Sequence, residues 1–581
     1  MADPSPVAEW QVPAQPGSDG PPGDAAAAGD AATPTTTTGD AGATTGDGGA
    51  TTGDGGASDR VQRAPARRRW LSAMAVTLAG AALFLAYLRL SWTMAANSDG
   101  AGNVLQAWDM LHGNLLLHGW SLSDTSFCTT ELPQYMLIVS VLGRHGDVIH
   151  VAAAMTYTLI VVLGALLAKG HATGREALAR MLIAAGIMLA PQLGNGVFVL
   201  ESSPGHIGTS VPLLATWLVL DRAGRRWWVP PVVGAMLAWV LVADSVTLYA
   251  GIAPLVVVCG VRAYRQIVME RQPVSTAWFE SSLAAAAVAA IPAASAALAI
   301  IHAHHGFTVL PLENTLATGT QLAAHASETF EGVLVLFGAD FLGLQMGVGL
   351  AAAMLHLVGL SLAAWATWLG IRGSFRARDS HDLVVAVLTA GVLINVAAYT
   401  FSQLDFDPKS SREMAAALPF AAVLAGRLLA ARLMSARVLP ALSVVLAGYL
   451  VILAYGAAKP PLPTEHQQTA DWLVAHHLSY GIAGYWQAGS LTIGSGARAQ
   501  VRQVRVVQHA MTRDEREFQA SWYEPKLHYA NFVVLGPSKP PTPGLGTVAD
   551  MQAIFGPPAH VYHLGPDTVL TYHKNLLADL R

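Results

Sequence analysis

The stretch SWTMAANSDGAGNVLQAWDMLHGN follows the first long apolar run of the chain and sets a carboxylate, Asp99, a few residues beyond it. A carboxylate at a bilayer boundary is costly unless it is solvated, paired or used. Two readings are open. In one, Asp99 caps the helix that follows, because NSDG is good capping chemistry. In the other it is a general base at a site shared by lipid and water, taking the proton of an acceptor hydroxyl while the reacting bond hangs from a membrane-held carrier. The alternation of acids and arginines along the chain decides which face it occupies.

The chain has 581 residues, 53% hydrophobic and 12% charged, with a net charge of −4 and a mean hydropathy of +0.41. Soluble domains carry about 25% charged residues. Runs of roughly 20 apolar residues recur, each long enough to cross a bilayer core of ~30 Å. The fold class is therefore a polytopic α-helical membrane protein. Apolar runs fall at about 70–91, 147–168, 178–198, 278–301, 383–401 and 438–457. Further runs end at DRAGRR, Asp244, VRAYRQ, IRGSFRAR and GRLLAARLMSAR. That makes about eleven spans. Arg67, Arg68 and Arg69 precede the first, and every second loop is rich in Arg. The positive-inside bias puts the N-terminus in the cytoplasm and the C-terminus outside, in a cell membrane. The opposite loops hold the acids: Asp99, Asp109, Asp124, Glu131, Glu201, Asp244, Asp340, Asp405 and Asp407. Lys409 and Arg412 are the conspicuous cations there.

Three regions follow. Residues 1–66, with the degenerate repeat TTTTGDAGATTGDGGATTGDGGASD, have too little apolar content to fold and are expected to be a disordered cytoplasmic tail. Residues 67–458 are the membrane domain. Residues 459–581 read as a small extracytoplasmic α/β domain, with strand-like runs QVRQVRVV, NFVVLG and HVYHLG…TVLTYH and a helix at TVADMQAIFG. Its aromatics, among them Trp472, Tyr485, Trp486 and Trp522, fill a small core or form a sugar-stacking surface. In the first outer loop, Val104, Leu105, Trp108, Leu111, Leu115 and Leu116 fall near helical spacing, and TTELPQYMLIVSVL reads as a second short helix. Both are expected to lie along the membrane surface. Cys128 and Cys259 read as free packing residues. HAHHG (His302, His304, His305) lacks an acidic partner motif and reads as a wetted turn, and no P-loop, GxSxG, CxxC pair or zinc signature is present.

A first span, an Asp just beyond it, a long outer loop with interfacial helices, many further spans and a C-terminal outer domain resemble the C-type superfamily of glycosyltransferases. NSDGAGNVLQAWDMLHGNLLLHGWSLSDTSFCTTELPQY, SSREMAAALPFAAVLAGR and LSYGIAGYWQAGSLTIGSG resemble stretches of actinobacterial membrane proteins of that layout. The resemblance implies an enzyme that moves a hexosyl or pentosyl group from a polyprenyl-phosphate-linked donor to a cell-envelope glycan, lipid or protein. Asp99 matches the catalytic acid of the first outer loop. The family's paired acidic motif is broken here by Gly100, so a second acid must come from Asp124, Glu131 or a later loop. An Arg-Tyr before a Pro in related families appears as Ser411-Arg412-Glu413 with Pro419 beyond. The resemblance implies that Arg412, assisted by Lys409, holds the donor phosphate; the alternative is a salt bridge to Glu413 or Asp407. Glu201, His206 and Asp244 are further candidates to line the site. A divalent cation is left open, and nothing points to nucleic acid. Two other classes compete: a transporter or lipid flippase, disfavoured by the lack of repeated halves, and a non-catalytic membrane scaffold with a glycan-binding outer domain.

Overall fold

The computed structural model describes residues 58–311, 315–376, 382–403, 407–538 and 544–581. Leu71–Arg581 form one compact unit. Most of the expected tail, residues 1–66, lies outside the described residues, but helix α1 (Ser58–Ser91) begins within it.

The membrane part continues through α2 (Ser98–Leu111), α3 (Leu132–Leu142), α4 (Asp147–Lys169), α5 (Gly174–Met188), α6 (Asn195–Glu201), α7 (Ser210–Ala223) and α8 (Val229–Ala243). There follow α9 (Ala253–Tyr264), which π-turns extend to Leu248–Met269, then α10 (Trp278–Ala303), α11 (Leu322–Leu336), α12 (Val348–Arg376) and α13 (Leu383–Phe401). A 3-10 turn, Pro408–Met414, leads into α14 (Ala417–Leu433), and α15 (Leu439–Ala457) closes the bundle. Among the described residues, seven helices are long and apolar enough to cross a membrane, or eight if the pair Pro408–Met414 and Ala417–Leu433, bent by 61°, is one span. The expected count of about eleven is not confirmed. The difference lies in α5, α7 and α8, of 15, 14 and 15 residues. At 1.5 Å per residue these reach about 22 Å, short of the ~30 Å core. The expected span 178–198 is broken: α5 stops at Met188 and α6 starts at Asn195, with Pro191 and Gly194 between them.

One end of the bundle is fastened by Arg427 on α14. Its buried guanidinium bonds Asp221 Oδ1 at 2.7 Å, Asp382 and the Leu167 carbonyl, tying α14 to the ends of α7, α13 and α4. A buried arginine is tolerated because each donor finds an acceptor.

The stretch expected to form the first outer loop differs from the reading in one respect. Helix α2 is covered by protein on one face: Ala101, Val104, Leu105 and Ala107 are buried in a cluster with Leu132 and Tyr135 of α3, Ile149 of α4 and Ile493 of the C-terminal region, while Leu111 and, just beyond the helix, Leu115 are exposed. An amphipathic pattern fixes that a face is covered, not by what. Helix α3 does expose Leu137 and Val141, at 61% and 79%.

The C-terminal region holds a six-stranded mixed sheet in the order β5-β4-β3-β7-β9-β8. Its strands are β3 (Tyr480–Ala483), β4 (Gln500–Val507), β5 (Ala510–Arg513), β7 (Phe532–Leu535), β8 (His560–Leu564) and β9 (Asp567–Thr571). Strand β3 runs parallel to β4 and β7; the other pairs are antiparallel. Helices α16 (Gln467–Ala475), α17 (Tyr485–Gly494) and α18 (Val548–Phe555) complete an α/β layer. A second, three-stranded sheet, β2-β1-β6, joins this region to the rest. Strand β1 (Trp120–Leu122), between α2 and α3, pairs parallel with β2 (Thr308–Val309) and antiparallel with β6 (Phe518–Gln519). That sheet fixes where the C-terminal region sits over the loop that carries Asp99.

Candidate active site

The Asn97 side chain accepts the Gly100 amide at 3.2 Å, so Asn97 caps α2. Capping therefore does not occupy Asp99, which stands in the first turn beside a cavity of about 220 Å³. Four stretches of chain wall that cavity: Asp99; Asp124 and Phe127 of the loop after β1; Gly205 and His206 before α7; and Arg412 before α14. The C-terminal region closes it with Tyr485, Trp486, Arg516 and Glu517. Asp99 and Arg412, 313 residues apart in the chain, thus face one hollow.

Each wall has a local reason. Helix α17 sits against α2 because Gly489 carries no side chain: a Cβ there would lie 2.9 Å from the Ala101 Cβ. Ser98 Oγ donates to the Trp486 carbonyl at 2.8 Å. This brings the Tyr485 hydroxyl 2.8 Å from Asp99 Oδ1, to which it donates. On the other side, Ser121 pairs with Phe518, so Asp124 and Glu517 emerge from the same end of the β1–β6 ladder. Gln503 Nε2 donates to the carbonyls of Arg516 and Glu517 at 2.7 and 2.9 Å. Those bonds hold Glu517 at φ +47°, a left-handed conformation that a non-glycine residue adopts only under such constraint. Asp514 grips Arg516 in a fork, Nε at 3.1 Å and Nη2 at 2.7 Å, and the guanidinium lies 4.3 Å from the Tyr485 ring centre.

A charge ladder runs along the opposite wall. His206 Nδ1 lies 3.0 Å from Asp244 Oδ2, and its Nε2 lies 3.1 Å from Glu413 Oε1. Glu413 Oε1 is 3.8 Å from Arg412 Nε. Thr209 donates a short bond to Asp244. Burial pushes the His206 imidazole down, but Glu413 and Asp244 outweigh it and hold its pKa well above the ordinary value. Burial raises the Asp244 carboxyl, and His206 with Thr209 more than reverses that, leaving it low. His206 is therefore an imidazolium clamped between two carboxylates. Asp124 is pushed up, by burial first and then by Glu413 and Asp244, against the pull of His206 and Arg412.

The expected site residues divide accordingly. Asp99, Asp124, His206 and Arg412 line the cavity. Asp244 stands behind His206. Glu131 is buried one layer back, where Ser203 Oγ reaches its Oε2 at 3.4 Å and Gly208 leaves room for its carboxyl. Burial raises the Glu131 pKa to about 8. Glu201 does not line the cavity; it is fully buried, both its oxygens lack a hydrogen-bond partner, and burial raises its pKa well above the ordinary value. Lys409 is exposed and stands outside the cavity, its ammonium 5.2 Å from the Phe198 ring centre. Asp407, the alternative partner for Arg412, instead caps the 3-10 turn through the Lys409 and Ser410 amides. Asp109 accepts from Trp120 Nε1 and Asn114 Nδ2, both at 2.7 Å, and shapes the loop. Asp405 lies outside the described residues.

Arg516 and Glu517 went unread in the sequence; Glu413 was read only as an alternative partner for Arg412, whose Nε lies 3.8 Å from it. The run RDERE, five charged residues directly before a strand, is the signal that was present for the first two. Tyr485 and Trp486 were read only as core or sugar-stacking aromatics. Among the described residues no group of three or more His, Cys, Asp and Glu is arranged to hold a metal ion. Comparison with protein-family models and with curated proteins finds no match to this chain.

Proposed function

We propose that this chain is a multi-pass membrane glycosyltransferase, with its N-terminus cytoplasmic and residues 459–581 outside, that moves one sugar from a polyprenyl-phosphate donor to an extracytoplasmic acceptor. The observation that carries the reading is that Asp99 and Arg412 line one cavity just beyond the first span. In this reading the acceptor hydroxyl meets Asp99 Oδ2, because Oδ1 is engaged by Tyr485. Asp99 takes the proton as the acceptor oxygen bonds to the anomeric carbon. The bond from that carbon to the phosphate oxygen breaks, and its electron pair leaves on the phosphate. Direct displacement inverts the anomeric centre. Arg412 faces the growing phosphate charge from one wall with a planar guanidinium fork that suits phosphate oxygens, and Arg516, its own fork held by Asp514, adds positive charge from the other. Such preorganised donors contribute on the order of 10²–10³ each in rate. The bilayer fixes the donor's height, so part of the positioning is supplied by the membrane. Lys409, exposed and outside the cavity, has no part in this reading.

The test is to supply purified protein with a panel of polyprenyl phospho-sugars and acceptor glycans. Transfer with inversion from at least one donor is expected. Passage of the lipid donor across a vesicle membrane with no transfer would favour a flippase instead.

A further inference from the structure

Glu517 is a third carboxyl built into the cavity, beside Asp99 and Asp124, and the chemistry above does not use it. Three observations tie it to Asp99. Its Oε2 lies 3.4 Å from the Tyr485 hydroxyl, which donates to Asp99 Oδ1 at 2.8 Å. Helix α2 makes room for it: one turn after Asp99, on the same face, Gly102 has no side chain, and a Cβ there would fall 1.9 Å from Glu517 Oε2. Both Glu517 and Tyr485 are nearly inaccessible, at 7% and 8% exposure.

We propose that Glu517 and Tyr485 form a hydrogen-bonded chain that ends on Asp99 and holds its carboxylate in place to receive the acceptor's proton. The C-terminal region thus contributes two positioning residues to the site. This inference rests on the transfer reading. A phenol has one hydrogen, and the shorter distance assigns it to Asp99. Its lone pair then faces Glu517 and is satisfied only by a carboxyl that carries its proton. Burial, and then the neighbouring Asp99 charge, push the Glu517 pKa well above the ordinary range, in keeping with that assignment. The other charged groups facing the chain are Asp124 from the loop after β1, Arg516 over the Tyr485 ring, and His206 and Arg412 across the cavity. In the transfer step the acceptor's proton goes to Asp99 Oδ2, while the protons of Tyr485 and Glu517 stay where they are.

The experiment compares Tyr485→Phe, Glu517→Leu and Glu517→Gln with the parent in detergent. Two readouts are taken: transfer rate against pH, and the infrared carbonyl band of protonated carboxyls at neutral pH. Tyr485→Phe removes the hydrogen bond that Asp99 Oδ1 accepts, and with it support for the charged carboxylate. Tyr485→Phe and Glu517→Leu are therefore expected to lose about tenfold or more in kcat and to move the acid limb of the profile to higher pH. Glu517→Gln, which still donates, is expected to recover most of what Glu517→Leu loses, while the Glu517 component, read from the parent-minus-variant difference spectrum, is lost from a band to which Glu131 and Glu201 also contribute. Glu517→Gln falling as far as Glu517→Leu, or profiles that superimpose, would overturn the chain. The infrared readout separates the two claims. Transfer without the Glu517 band sinks the chain alone; the band without transfer by the parent sinks the transferase reading and leaves the hydrogen bonds standing.

Discussion

Gly102→Ala perturbs the cavity without replacing any of its functional groups. The added Cβ would lie 1.9 Å from Glu517 Oε2, 2.7 Å from its Cδ and 3.3 Å from its Cβ. The obstacle is a side-chain end rather than backbone, so the helix keeps its place and the carboxyl retreats. Ordinary contact requires a retreat of about 1.5 Å, which takes Oε2 out of reach of a Tyr485 hydroxyl already 3.4 Å away. Overpacking of this kind costs about 1–3 kcal/mol. Replacing a mid-helix glycine returns about 1 kcal/mol. A net loss of no more than about 2 kcal/mol leaves the protein folded, yet transfer should fall about tenfold with the loss of the chain to Asp99. Gly100→Ala is the contrast: its Cβ would meet the Ser203 carbonyl oxygen at 2.8 Å, a backbone atom that cannot swing away. The assay is thermal unfolding alongside initial transfer rate. Adding Glu517→Ala to Gly102→Ala removes the clash, and the pair should be more stable than the sum of the single effects. Full activity in Gly102→Ala, or strict additivity in the double variant, would refute the packing argument.

Other outcomes follow from the same geometry. Arg412→Ala should weaken donor binding about tenfold or more, whereas Lys409→Ala should change it less than twofold; titration with a fluorescent polyprenyl phosphate measures both. His206→Ala strands the buried Asp244 and the Glu413 it now pairs, and should cost about 3–5 kcal/mol in denaturant unfolding. Glu131 has a folded pKa of about 8 against an ordinary 4.5. A raised folded pKa gives stability that is full below the unfolded value and is lost as pH rises through the folded one. The loss therefore falls between about pH 4.5 and 8, and Glu131→Gln should flatten that part of the stability profile by a few kcal/mol.

Much of the architecture follows from local pattern. Long apolar runs such as Asp147–Lys169 and Leu383–Phe401 are helices of spanning length. Strand β4 coincides with QVRQVRVV, a short run rich in β-branched valine. Hydropathy does not separate one span from two short helices joined by an apolar corner, which is why the region around Pro191 read as continuous. The amphipathic face of α2 matched a lipid-facing helix equally well until its partners were in place. The site was half visible. Asp99 and Arg412 stand out because charge is rare at the ends of apolar runs. Glu517 does not, because it lies 418 residues from Asp99 and its burial is created by β6 pairing with β1 and by the space at Gly102. Lys409 neighbours Arg412 in sequence, but the 3-10 turn sends its side chain towards Phe198 rather than into the cavity.

The most direct measurement is single-turnover transfer by Asp99→Asn, with donor binding determined on the same samples. The substitution keeps the volume and can still accept from Tyr485, but removes the base. Donor binding should stay within about threefold of the parent, while transfer falls by about 10²–10⁴. Transfer at the parent rate would contradict the account, because the cavity would then hold no role for the carboxylate around which its walls are arranged.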